Sequence, residues 1–249
     1  MKIKEAIVIS TILSSILCAG NSTEKSWSYQ IEPYMLIASM NGTAKIGHTP
    51  TMEIDVDFGT ILDHLDMGAM VHFEAHHQSG WGLWLDYGFM DLSSDINGNR
   101  GGLLSTSIRQ GILEAYATYK QPLEVGYIEY FSGIRWWDND LDIEHSAITK
   151  SINLKDDWID PVVGLKWSTT IYEDWKFNIE SSIGGFGVGS DLSVGGIVGV
   201  SYVINDLLDI NLKYKTLWAD YEKGTKGRKG YFQYDVTTSG AIIGVNFKF

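Results

Sequence analysis

The last nineteen residues, Tyr231 to Phe249, read YFQYDVTTSGAIIGVNFKF and constrain the fold more than any other stretch. Phe249, Phe247, Val245, Ile243 and Ala241 share one face of an extended strand, while Lys248, Asn246, Gly244, Ile242 and Gly240 share the other, because side chains alternate with a period of two. A soluble domain more often ends in a polar, frayed segment; this one ends on an aromatic of its apolar face. The closing strand of a membrane barrel needs an apolar face toward lipid and an edge that pairs with the first strand. The terminal stretch therefore predicts an all-β fold, a closed antiparallel transmembrane β-barrel.

The other end agrees. Residues 1–20 carry Lys2 and Lys4, then an apolar run from Ala6 to Leu17, then the small residues Cys18, Ala19 and Gly20. This is the pattern of a secretory signal peptide, with cleavage expected after Gly20 and a barrel domain over 21–249. The run falls short of the roughly 20 apolar residues that span a bilayer as a helix. Leu17 also stands where a lipoprotein signal would place a small residue. Cleavage removes Lys2, Lys4 and Glu5, a net +1, and takes the formal charge from −12 to −13. Nucleic acid is excluded as a partner by that charge. The only cysteine leaves with the peptide, so the mature chain has no disulfide. No other stretch approaches a helical span, so a membrane crossing has to use strands.

Alternation then recurs along the chain. The expected strands are 27–39, 66–77, 81–92, 104–120, 123–137, 158–170, 175–187, 192–203, 207–219 and 231–249, about ten in all with eight to twelve possible; each approaches the 9–11 residues of a tilted membrane strand. Short turns at 78–80, 121–122, 172–174 and 205–206 alternate with longer connections at 40–65, 93–102, 138–157 and 220–230. Short periplasmic turns and long outer loops give a barrel this asymmetry. Residues 52–58 read as an optional further strand. The Ile61, Leu62 and Leu65 spacing reads as a short helix folded partly inward, and Asp138, Asp140, Asp142 and Glu144 alternate like a strand that continues beyond the membrane.

Several stretches resemble a family of small Gram-negative outer-membrane β-barrel proteins, porin-like in architecture. They are DVDF at 55–58 with ILDHLDMG at 61–68, WGLWLD at 81–86, DPVVGLK at 160–166, IGGFGVGSD at 183–191, and YDVTTSG at 234–240 with the Phe-Lys-Phe end. Lys166 and Lys248 stand where the family would place arginine, and Ala241 where it would place proline. The resemblance implies an integral protein of the cell outer membrane; it brings no catalytic residue.

The face opposite the apolar one carries the chemistry. The expected lumen-lining residues are His72, Glu74, His76, Asp86, Glu114, Glu129, Arg135, Asp160, Lys166, Glu180, Lys213 and Lys215, with Lys176 and Lys248 beside them. A barrel of about ten strands is narrow, and unpaired charges in so small a space are costly. Two readings follow: an ion-pair network that fills the barrel, or a charged constriction that passes small solutes or ions. His72, Glu74 and His76 share a face at i, i+2, i+4, a spacing that offers two imidazoles and a carboxylate to a metal, with Asp86 as a further ligand; carboxylate-bonded histidines are the competing reading. No serine stands in a recognisable nucleophile context, so no catalytic residue and no cofactor is assigned. The function expected is a porin-like or structural barrel. The alternatives are a surface-interaction barrel that acts through its outer loops and, third, a membrane hydrolase. The partners expected are outer-membrane lipid, lipopolysaccharide through divalent cations, and the barrel-assembly machinery through the strand ending in Phe249.

Overall fold

The computed structural model describes residues 26–48, 50–63, 65–97, 103–145, 150–228 and 230–249; the expected signal peptide lies outside them. Eleven strands form one antiparallel sheet: β1 (Trp27–Ile46), β2 (Met52–Val56), β3 (Leu65–His77), β4 (Trp81–Asn97), β5 (Leu103–Pro122), β6 (Tyr127–His145), β7 (Lys150–Tyr172), β8 (Trp175–Gly184), β9 (Leu192–Asn205), β10 (Leu208–Lys223) and β11 (Phe232–Lys248). A single described helix, α1, covers Phe58–Asp63. β11 pairs with β1 from Gln30↔Lys248 to Ile46↔Phe232, which closes the sheet into a barrel.

Ten long strands make the wall, and β2 is the short eleventh. β1 pairs with β3 from Trp27↔His77 to Pro33↔Val71, and farther up with β2 from Met40↔Val56 to Ala44↔Met52. β2 and β3 are thus one returning strand, interrupted by residues 57–64, and α1 occupies the interruption. Asp57 caps it: the Thr60 N–H donates to Asp57 Oδ1 at 2.8 Å and the Ile61 N–H to the Asp57 carbonyl at 3.0 Å. An Asp at this position satisfies amides that the first turn leaves without partners. Ile61 is the residue α1 buries.

The alternation sorts the side chains as the sequence predicts. Leu83, Leu85, Ile134, Val163, Leu165, Ile179, Leu212 and Ile243 stand exposed on the outer wall, where lipid is the compatible solvent. Trp27, Trp81, Tyr119, Tyr172, Trp175 and Tyr202 ring that surface near the termini and short turns, the end that faces the periplasm in outer-membrane barrels.

Several connections differ from the sequence reading in their bounds; the expected 93–102 and 220–230 loops give up residues to β4, which runs to Asn97, and to β10, which runs to Lys223. The turn expected at 121–122 falls at 123–126: Pro122 still pairs with Tyr127, and the Leu123 N–H donates to the Gly126 carbonyl, with Gly126 at φ 76°. Proline needs no ladder donor at a strand end, so it marks the last pair rather than the turn. Residues 138–157 are mostly strand, because β6 runs to His145 and β7 starts at Lys150; the alternating acids continue the ladder past the apolar belt. The 40–65 connection is shortened by the upper half of β1, by β2 and by α1. β8 stops at Gly184 and not at 187, since Gly185, Phe186 and Gly187 all adopt positive φ, which no strand tolerates.

Candidate functional site

Inside the wall the lumen divides into two layers. Toward the end with the short turns lies a polar chamber of about 340 Å³, lined by residues of β1 and β3–β11 that include Glu32, Tyr34, His72, Trp84, Glu180 and Lys213, with Lys120, Tyr127, Thr170, Lys176 and Lys248 at its mouth. Above it, aromatic side chains cross the barrel. Trp158 stacks on Tyr221 with ring centroids 4.0 Å apart and on Trp137 at 5.4 Å, while Tyr234 meets both tryptophans at a tilt, 5.9 and 6.3 Å away. Leu217, Ala219, Phe232 and Val236 complete this buried cluster, and Met40, Ile54 and Ile112 pack against it.

The charged side chains of the chamber are paired across the barrel as well as along it. Lys166 Nζ reaches Glu74 at 3.0 Å, Lys213 reaches Glu32 at 2.8 Å, Lys248 reaches Asp209 at 2.7 Å and Lys215 reaches Glu114 at 3.4 Å. The Glu114 carboxylate also accepts from Arg135 and from the Tyr116 hydroxyl at 2.6 Å. Such networks hold only where nearly every charge finds a partner. His72 is held at both ring nitrogens, by Asp86 at 3.1 Å and by Glu74 at 3.0 Å, and the Tyr34 hydroxyl donates to the other Asp86 oxygen at 2.9 Å. His76 is bound at 2.6 Å by Glu129, which is fully buried. Glu74 links the two histidines, with its other oxygen 3.8 Å from His76 Nδ1. Among the described residues no group of three or more His, Cys, Asp or Glu is arranged to hold a metal ion.

Of the residues singled out in the sequence, His72, Glu74, Asp86, Glu114, Lys166, Glu180, Lys213 and Lys215 line the chamber. His76 and Glu129 are buried together behind the chamber lining. Arg135 lies at the roof, 2% exposed, beside Ser182 and Ser193 and with its guanidinium 5.9 Å from the Trp137 ring. Asp160 is separate from the chamber. It accepts from Trp137 Nε1 at 3.0 Å, from the Ser190 N–H at 2.6 Å and from Ser190 Oγ at 2.9 Å, and Ser190 Oγ in turn accepts from Trp158 Nε1 at 2.9 Å.

That arrangement gives two of the quoted stretches a shared purpose. DPVVGLK supplies Asp160 and the glycine-rich stretch supplies Ser190, and together they fix the Trp137 and Trp158 indoles of the aromatic layer. Gly189 allows the approach: a Cβ there would lie 2.4 Å from the Ile159 carbonyl oxygen and 2.6 Å from Asp160 Oδ1. The sequence reading missed the closing layer. Its signal was present, because Trp137, Trp158, Tyr221 and Tyr234 all occupy inward positions of their strands, where a water-filled lumen would place polar side chains.

No family model matches the chain, and no curated protein matches it in sequence. Solved structures do match. The translocator domain of the autotransporter NalP from Neisseria meningitidis superposes with a TM-score of 0.51 at 11% identity, covering 98% of this chain and 96% of that one. The outer membrane protease OmpT from Escherichia coli gives a TM-score of 0.52 at 9% identity, covering 93% and 99%. At such identities the likeness is one of fold: the chain has the closed antiparallel β-barrel fold of integral outer-membrane proteins.

Proposed function

We propose that this protein, exported by its signal peptide, is a structural outer-membrane barrel whose lumen is a blind chamber open to the periplasm. The observation that supports this is the aromatic layer of Trp137, Trp158, Tyr221 and Tyr234 above Arg135, which packs β6 and β7 against β10 and β11 at the level where a channel would continue. The roof is polar below, where Arg135 ties Glu114 to Ser182 and Ser193, and apolar above. A solute that reached it would have to break a buried ion pair and then unstack two indoles. The reading is non-enzymatic: His72 and His76 are engaged by carboxylates of the ion-pair network and not by a serine hydroxyl, and the Ser79–His77 contact of 2.8 Å lies in an exposed short turn away from the chamber. Single-channel recording in planar bilayers tests the proposal. The wild-type barrel is expected to stay silent across a salt series, and steady ion-selective steps would refute the closed lumen.

A second contact is favoured by the outer surface. Asp91, Asp138, Asp157, Asp220 and Asp235 follow the apolar belt at its far edge, and Asp220 pairs directly with Asp235 between β10 and β11. A collar of carboxylates at that height suits divalent cations shared with lipopolysaccharide phosphates. Retention of lipopolysaccharide by the purified barrel should then fall on chelation and in Asp220→Asn/Asp235→Asn; retention unchanged by both would remove this reading. The assembly machinery is the third partner, engaged through β11 and the Phe249 that follows it, which exchanges backbone hydrogen bonds with Tyr29 at 3.0 Å in the finished barrel.

A further inference from the structure

Two charged side chains of the chamber stand apart from its network. Glu180 and Lys176 line it, yet neither makes a hydrogen bond or an ion pair among the described residues, whereas the other acids there are all bonded. Lys120, the remaining lysine without an acid, covers the Tyr127 ring at 4.4 Å. The isolation of Glu180 is a product of the structure. Its cross-strand neighbour on β7 is Lys166, a natural partner at that register. The Lys166 ammonium instead crosses the lumen to Glu74 and lies 4.6 Å from the centre of the Trp84 ring. On β9 the neighbour of Glu180 is the apolar Ile197. Lys166, His72 and Lys215 act on it electrostatically from beyond contact distance, so its carboxylate lacks a cation in direct contact, which a confined chamber makes costly.

Lys176 poses the opposite requirement. Its neighbours on the two adjacent strands are Thr170 and Ser201, both neutral. It stands at the mouth, on the same face of β8 as Glu180 and four residues away, which places the Cα atoms on the order of 13 Å apart. Asn178, between them on that face, is bonded to Ser201 Oγ and so lines the path with polar atoms. A dipeptide at roughly 3.5 Å per residue covers about half of that span, and the two side chains reach over the rest. The chamber volume of about 340 Å³ suits a molecule of this size and falls within the range of about 300–1,000 Å³ common to ligand pockets.

We propose that the chamber binds a small zwitterion from the periplasm, with its ammonium at Glu180 and its carboxylate or other anionic group at Lys176. The inference rests on the blind-chamber reading. Its chemistry is the pairing of these two contact-free charges: the ligand supplies one charge of each sign and leaves every existing ion pair intact. A simple anion would leave Glu180 unpaired, and a simple amine would leave Lys176 unpaired.

Isothermal titration of the refolded full-length barrel in detergent tests this, with dialanine as the probe and N-acetyl-dialanine and dialanine amide as controls. Dialanine is expected to bind saturably, and each blocked peptide at least tenfold more weakly. Glu180→Gln should erase the preference over the acetylated peptide, and Lys176→Gln the preference over the amide. Both changes remove an unpaired charge, so the heat-modifiable electrophoretic mobility of the folded barrel should persist in each. Absent dialanine binding, equal binding of the blocked peptides, or unchanged selectivity in Glu180→Gln would overturn the assignment. Parallel bilayer recordings separate the two proposals: a silent barrel that ignores dialanine sinks only the zwitterion site, while a conducting one sinks the blind chamber.

Discussion

Replacing Arg135 by methionine tests the roof of the chamber most directly. The side chain is 3% exposed, and its partner Glu114 is 9% exposed. Removing one member of a buried ion pair usually costs about 3–5 kcal/mol, because the other charge stays buried without compensation. Glu114 is not left bare in Arg135→Met, since Lys215 at 3.4 Å and the Tyr116 hydroxyl at 2.6 Å remain. The cost should therefore sit near the lower limit, about 3 kcal/mol, or more than a hundredfold in the folding equilibrium at about 1.4 kcal/mol per tenfold. Glu114→Gln is predicted to be worse. It leaves the buried guanidinium without its counter-charge, because the glutamine amide oxygen accepts a hydrogen bond but carries no charge and the contacts to Tyr116, Ser182 and Ser193 are neutral and 3.4 Å long, which places it toward about 5 kcal/mol. In the double variant both charges are gone, so the losses should not add; a coupling of about 2 kcal/mol or more is expected. Reversible urea unfolding in lipid vesicles, followed by tryptophan fluorescence and by gel mobility, measures all three. Single-variant losses below about 1 kcal/mol, the size of an exposed pair, or strict additivity would refute the claim that this pair is desolvated and mutually dependent.

Three further outcomes follow from other parts of the barrel. Trp158→Ala combined with Tyr221→Ala should convert a silent barrel into a conducting one, while Trp158→Ala alone costs about 3–5 kcal/mol in the same unfolding assay; a double variant that folds and stays silent would place the block elsewhere. Gly189→Ala forces a Cβ against the Ile159 carbonyl, so a loss of about 1–3 kcal/mol is expected, with altered fluorescence from Trp137 and Trp158; a neutral substitution would show that the turn can give way. The Asp57 carboxyl is held below its ordinary range by the Thr60 amide. Because its folded value is depressed, its contribution is present above the unfolded value and lost as pH falls through the folded one, so exchange of the Thr60 amide, corrected for the intrinsic pH effect, should accelerate in acid. In Asp57→Ala it should be fast at every pH, and a wild-type rate in that variant would sink the capping argument.

Much of this architecture is legible in the sequence because strand periodicity is a local property. The alternation in 81–89 or 159–167 assigns faces without any knowledge of neighbours, and the structure keeps them: Leu83 and Leu85 outside, Trp84 and Asp86 within. The closing strand, the lumen acids and bases, and the helical spacing around Ile61 were readable for the same reason. Strand ends were less so. At 121–127 the ladder outlasts a proline, because pairing with a neighbour, which one strand does not record, decides where a strand stops; the alternating acids at 138–144 did announce that β6 continues, and the pairing carries it to His145.

What the sequence by itself determined is which residues face inward and that their charges nearly balance. Only the tertiary structure decided which of them meet. Lys166 has Glu129 and Glu180 as cross-strand neighbours and goes to Glu74, 92 residues away, instead. Asp160 reads as one more lumen charge and proves to be the anchor of two indoles and a serine. Closure of the barrel brings strands that are distant in sequence to within a side chain's length of one another, and partners chosen across that space depend on curvature and register, not on the period of any single strand.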